Sequence, residues 1–193
     1  MFRSKTIPAT IAAMFILGAS GAAFAATGEN ENGQEIAAVL GAKTSAAQAI
    51  AAAEKQTGGR AMKIDVEKGK GAYLYGVKTV SKDKVAEVFV DPASGQVVRT
   101  DDEGLIARIF DREDQNEFTK LAASPTTLTA AIATAEQHIG GKTIEASFDN
   151  EEGAMLFEVE VVKDNAMHKV MIDSANGKVL KVATAEDGEH DED

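Results

Sequence analysis

The chain has 193 residues, no cysteine, and 31 acidic against 20 basic side chains, a formal net charge of −11. That surplus repels nucleic acid and anionic membrane surfaces and sets both aside as partners. Without thiols there is no disulfide framework and no thiolate metal site, so packing has to supply the stability.

In chain order, Arg3 and Lys5 precede an apolar run from Ala9 to Ala25 that closes on Ala23-Phe24-Ala25. This is the order of a secretory signal peptide: a positive start, an apolar centre and an A-x-A cleavage site. Gly18, Ser20 and Gly21 interrupt the run, and its strongly apolar part is too short for about 30 Å of hydrocarbon. Residues 1–25 are therefore expected to be removed after Ala25, leaving a periplasmic or secreted protein with no stable membrane insertion. Arg3 and Lys5 go with the leader, so 18 basic residues face 31 acidic ones in the mature chain. Residues 26–43 read as an N-terminal linker, polar and glycine-rich over Thr27–Gly33.

Sliding the sequence against itself by 82 residues aligns Thr44–Thr100 with Thr126–Val182 without a gap, with about 18 of 57 positions identical. Ala49-Ile50-Ala51 returns as Ala131-Ile132-Ala133, Ala53-Glu54 as Ala135-Glu136, and Gly58-Gly59 as Gly140-Gly141. Asp91-x-Ala93-x-Gly95-x-Val97 returns as Asp173-x-Ala175-x-Gly177-x-Val179. A match that runs through loops as well as periodic segments indicates internal duplication.

Each copy opens with an alanine-rich stretch, 45–57 and 127–139, of strong helix formers. Ser45 with Gln48 forms a candidate capping box, while Ala130 leaves the second start plainer. The glycine pairs stop the helices through a left-handed residue, and Gly59 and Gly141 are expected to need that backbone. The period then changes to two. Met62, Ile64 and Val66 alternate with Lys63, Asp65 and Glu67, and Ile144, Ala146 and Phe148 repeat the pattern. Second strands are expected at 72–80 and 154–162, third strands at 84–91 and 166–173, and short fourth strands at 96–100 and 178–182. The Asp-x-Ala-x-Gly segments between the last two suit hairpin connections, with Asp bonding its own downstream backbone.

Residues 101–125 contain Leu105, Ile106, Ile109, Phe110, Phe118 and Leu121 and predict a helical connecting segment. Residues 183–193 read as an acidic disordered tail, with six acidic residues in eight over Glu186–Asp193. The expected fold class is α+β: two tandem repeats, 44–100 and 126–182, each a helix packed on a three- to four-stranded antiparallel sheet, joined by a helical linker.

These residues resemble the PepSY domain family. The resemblance rests on the helix ending in Gly-Gly before a strand, on Tyr73-Leu74-Tyr75-x-Val77 and Met155-Leu156-Phe157-x-Val159, and on Val88-x-Val90-Asp91-x-x-x-Gly95-x-Val97 with its copy from Val170. It implies an exported or membrane-associated module, found also in propeptides of thermolysin-type metallopeptidases, where it restrains the peptidase. No catalytic domain is expected in this sequence, so any restraint would act on another protein.

Side chains that could carry chemistry are scattered. His138, His168 and His190 form no H-E-x-x-H pattern. Ser94 lies in a turn without a nucleophile elbow, and Gly58-Gly59 lacks the lysine of a phosphate loop. Asp101-Asp102-Glu103 and the acidic tail offer oxygens to calcium but lack EF-hand spacing. Tyr73 and Tyr75 share a strand face and read as packing under the helix, with a ligand platform as the alternative. No catalytic, cofactor-binding or metal-ligating residue is assigned.

Charge differs between the copies. The first window has nine Lys/Arg against six Asp/Glu, and the second has five against nine. Lys63, Lys70, Lys78 and Lys82 align with Glu145, Glu152, Glu160 and Asp164, a reversal that suits a pseudo-twofold contact between copies. The sequence thus points to a non-enzymatic exported protein that binds a peptide or protein partner of the cell envelope, a peptidase being one such partner. The alternative is an acidic envelope protein that binds or senses divalent cations. Oligomeric state is not readable.

Overall fold

The computed structural model describes residues 31–82, 84–105, 112–151 and 153–184. The leader, Ile106, Ile109 and Phe110, Glu152, and the tail from residue 185 with His190 lie outside the described residues.

Four helices and eight strands lie within them: α1 (Glu31–Gly41), α2 (Ala46–Thr57), β1 (Arg60–Lys68), β2 (Tyr73–Val80), β3 (Lys84–Val90), β4 (Val97–Leu105), α3 (Arg112–Ala123), α4 (Leu128–Ile139), β5 (Lys142–Glu151), β6 (Ala154–Lys163), β7 (Ala166–Asp173) and β8 (Val179–Thr184). The strands form one antiparallel sheet in the order β4-β3-β2-β1-β5-β6-β7-β8. The class is α+β, as the sequence indicates.

Local chemistry starts and stops the repeat helices. Ser45 Oγ accepts from the Gln48 amide at 3.2 Å while Gln48 Oε1 accepts from the Ser45 amide at 2.9 Å. Thr127 caps α4 through its hydroxyl alone, accepting from Ala130 at 3.1 Å. At the other ends the left-handed residue is the first glycine of each pair, Gly58 at φ 66° and Gly140 at φ 81°. This corrects the role expected of the second glycines. A Cβ at Gly59 would stand 3.0 Å from the Val80 carbonyl, and one at Gly141 would stand 2.2 Å from Val162 O. Close backbone approach to β2 and β6, not φ, makes glycine necessary there.

Ala46, Ala49, Ile50 and Ala53 of α2, and Leu128, Ala131, Ile132 and Ala135 of α4, are buried. The small alanines bring each helix close to its strands, and each buried isoleucine contributes roughly 1.5–3 kcal/mol. Beneath them lie Ile64, Tyr75, Val77, Val88 and Val90 in the first repeat and Ala146, Phe148, Phe157, Val159, Val170 and Ile172 in the second. The Phe148 and Phe157 rings pack tilted with centroids 5.1 Å apart. Glu54 and Glu136, repeated in sequence, brace helix to sheet by accepting the amides of Ala61 and Thr143, each at 2.9 Å.

Three segments differ from expectation. The N-terminal linker, 26–43, contains helix α1, whose Val39 is 2% exposed in the core. The connecting segment, 101–125, begins as strand, since β4 runs on to Leu105, and its described helix is α3. Residues 183 and 184, assigned to the tail, complete β8. α1 and α3 are counterparts: the 82-residue offset carries Val39 onto Leu121, also buried. Each repeat is therefore longer than its identical positions suggest and begins with a second helix.

The seam between repeats is the β1–β5 pairing, with Lys63 opposite Ser147 and Ile64 opposite Ala146. Arg60 and Lys142, equivalent first residues of these strands, lock it from both sides. Lys142 Nζ donates to the carbonyls of Val39 (3.4 Å), Leu40 (2.9 Å) and Ala42 (3.4 Å) at the end of α1. Arg60 donates to Ala122 O at the end of α3 and to Thr126 O. A cation from one repeat thus satisfies the orphan carbonyls of the other repeat's leading helix. Burial lowers the Arg60 pKa from its ordinary value, against the opposing pull of Glu54.

Candidate interaction surface

The helices cover one face of the sheet, and the other face carries alternate residues of every strand. On β1 these are Lys63, Asp65 and Glu67, on β2 Lys78, on β3 Glu87 and Phe89, and on β4 Arg99 and Asp101. The second repeat adds Glu145, Glu158, Glu160 and Lys169. Gly76 makes room in the middle: a Cβ there would meet Asp65 Oδ1 at 2.8 Å and Glu67 Oε1 at 3.2 Å.

Ion pairs tie this face together. Lys63 Nζ lies 2.9 Å from Asp65 Oδ2 and 3.2 Å from Glu145 Oε1, so it spans the seam. Of the four sign-reversed pairs read from the sequence, this one meets. Lys78 instead pairs with Glu103 at 3.3 Å, and Glu160 lies 3.9 Å from Lys169, each within its own repeat. The physical reason is geometric, since equivalent positions of a twofold pair meet only beside the axis. Lys82 and Asp164 sit in separate hairpin turns, and Glu152 lies outside the described residues.

The carboxylates crowd one another. Burial, followed by Glu67 and partly offset by Lys78, pushes the Glu87 pKa up to about 6. Burial and Asp65 raise Glu67, and burial and Glu145 raise Glu160. Lys63 responds oppositely: burial disfavours its charge, but Asp65 and Glu145 outweigh that and hold its pKa above the usual lysine range. Arg99 lies 3.9 Å over the Phe89 ring and 3.0 Å from Asp101.

The sheet ends in two edges, β4 and β8. Equivalent residues on them, Val98 and Leu180, are 59% and 56% exposed. Both are the extra residue at a register shift, between Arg99 and Val97 on β4 and between Lys181 and Val179 on β8.

Among the described residues the singled-out side chains do not converge. His138 ends α4 and His168 lies on β7. Ser94 serves its turn, where Asp91 Oδ1 accepts from Ala93 at 2.6 Å and Ser94 at 3.0 Å, an arrangement that Asp173 repeats with Ala175 at 2.7 Å. Tyr75 is 2% exposed and donates to Thr44 O at 3.1 Å, with burial pushing its pKa up to about 12. Tyr73 donates to Gln34 on α1 at 3.1 Å. The Tyr75 ring packs in the core, and the Tyr73 hydroxyl ties β2 to α1. Asp101, Asp102 and Glu103 face Arg99, Lys84 and Lys78 in turn. Among the described residues no group of three or more His, Asp or Glu side chains could hold a metal ion. A cleft lined by Ala38, Val39, Val66, Leu74, Tyr75 and Pro92 has about 140 Å³ even counting space open to solvent, below the size of ligand pockets.

Sequence reasoning missed Arg60, Lys142 and Gly76. The signal available for the first two was a cation conserved in charge across the 82-residue offset, ahead of each alternating segment.

The family model of the peptidase propeptide and YPEB domain matches residues 43–101 and again residues 127–183. Among solved structures, a candidate lipoprotein from Clostridium difficile 630 is 21% identical, with 74% of this chain and 94% of that chain covered and a TM-score of 0.44. No curated protein matches the sequence. The two matched segments make up more than half of the chain, which therefore belongs to the PepSY family and carries two tandem copies of its domain.

Proposed function

We propose that this is an exported, non-catalytic PepSY protein that binds an extended segment of a peptide or protein partner in the cell envelope, and that a peptidase is the partner it restrains. The observation that carries the reading is the sheet itself. Among the described residues two edge strands stand open at its ends, with Val98 and Leu180 exposed on them, while His138, His168 and Ser94 are spread over separate elements. An extended segment can add to such an edge through main-chain hydrogen bonds alone, which requires no side-chain motif. Family membership supports a peptidase as the partner, because the matching domain takes its description from peptidase propeptides. The order of Arg3 and Lys5, apolar run and Ala23-Phe24-Ala25 supports export.

The test uses the chain from Ala26 onward, titrated into a thermolysin-type metallopeptidase assayed on a small peptide substrate. The expected result is saturable loss of activity with the chain intact. Undiminished activity together with no complex on gel filtration contradicts the peptidase part of the reading. Calorimetric titration with calcium separates the cation alternative, which requires saturable heat at micromolar concentration.

A further inference from the structure

We infer that β8 is the acceptor edge and that its ligand is an extended protein segment alternating acidic and apolar side chains; this rests on the peptide-binding reading above. The two edges are equivalent in the duplication but not in chemistry. β4 carries Asp101 and Asp102 at exposed positions, two register shifts against β3, and Gly104 at φ 108°. With two shifts and a left-handed glycine, β4 is the more irregular edge, against one shift, at Leu180, on β8, and irregular backbone keeps a foreign strand off.

β8 has none of that acidity. The charged side chain within Val179–Thr184 is Lys181, and Lys178 stands just before it. Neither forms an ion pair among the described residues, whereas Lys63, Lys78, Lys84 and Lys169 all do. Lys181 is paired opposite Met171, which places it on the helix-free face, and Val182 is opposite Val170 on the helix-covered face. Leu180 is 56% exposed beside them. Successive side chains of an added strand point to opposite faces. A ninth strand would therefore meet a cation on one face and apolar surface on the other. A segment with acidic residues at alternate positions and apolar residues between them satisfies both, and a lysine-bearing one meets repulsion.

The test is amide hydrogen exchange of the chain from Ala26 onward with two peptides of about six residues, the usual strand length, one alternating valine with glutamate and the other valine with lysine. The glutamate peptide should slow exchange saturably in β8 and leave β4 unchanged. Lys181→Glu, at an exposed site, should weaken that binding by about fivefold and favour the lysine peptide, with Lys181→Gln between. Protection of β4 by the lysine peptide instead would overturn this inference and leave edge binding standing. No protection of either edge by either peptide would overturn both. Protection of β8 that grows with protein concentration in the absence of peptide would make a second copy the occupant and also overturn it.

Discussion

Ile64 and Ala146 stand directly opposite each other across the β1–β5 pairing, and they are also equivalent residues of the two repeats, 82 positions apart. An antiparallel pair joining equivalent positions defines a pseudo-twofold axis through that pair. Each repeat alone is of a size that buries only about 60% of its unfolded surface. Joining the two sheets removes two edges and gives the second half of each core a fixed neighbour.

Lys63 and Glu145 lie beside that axis, so charges of the two repeats should couple here and not between Lys78 and Glu160, which pair within their own repeats. Lys63→Glu should lower stability, and Lys63→Glu with Glu145→Lys should recover part of it. Both side chains are partly exposed, so a coupling of no more than about 1 kcal/mol is expected from a double-mutant cycle of urea unfolding at low salt. The same cycle at Lys78 and Glu160 should give no measurable coupling.

The glycine pairs can be told apart by substitution. Gly141→Ala forces a Cβ onto the Val162 carbonyl and should cost about 3 kcal/mol, whereas the same change at Gly59, with more room, should cost about 1 kcal/mol. Gly58→Ala should cost about 1 kcal/mol through its positive φ alone. Thermal unfolding of the three variants gives the ranking.

Lys142→Met removes the donor to three carbonyls at the end of α1. About 1–3 kcal/mol should be lost, as for hydrogen bonds to charged groups. Hydrogen exchange should accelerate in α1 before it does in the sheet. Arg60→Met should do the same to α3.

Stability should rise as the pH falls from 7.5 toward 5. Glu87, Glu67 and Glu160 have pKa values raised in the folded chain by burial first and neighbouring carboxylates second. Above the folded pKa, near 6 for Glu87, the folded state carries the full cost of ionising them. That cost is relieved as pH falls through 6 toward the unfolded value. These groups are partly exposed, so screening limits the gain to on the order of 1 kcal/mol. Denaturant midpoints across this range, with Glu87→Gln flattening the profile, test the assignment.

Much of this architecture was legible in the residues. The alternation around Ile64 and Phe148, the alanine faces and the Asp91 and Asp173 turns are local patterns, and local patterns survive in sequence. Helix α1 was not legible, because Val39 and Leu121 agree in class but not in identity and the segment opens on polar and glycine residues up to Glu35. The role of Gly141 was hidden as well, since a clash with Val162 depends on a strand 21 residues away. The seam left two traces, the opposed charges of Lys63 and Glu145 and the cation repeated at Arg60 and Lys142. Non-local pairing of two strands leaves no period to read. The open edges were equally silent, because a main-chain edge is defined by what lies beside it.

The continuous sheet is tested most directly by a disulfide across the seam. The chain has no cysteine, so Lys63→Cys with Ser147→Cys introduces the two thiols alone, at positions paired directly across β1 and β5. Antiparallel partners place Cβ atoms about 4.5–5.5 Å apart, near enough for a bond after slight adjustment. Mild oxidation of dilute protein should give an intramolecular disulfide, detected by intact mass and thiol titration. The oxidised form should unfold about 2–4 kcal/mol less readily than the reduced form. Thiols that stay free, or that link only between molecules, would contradict a single eight-stranded sheet.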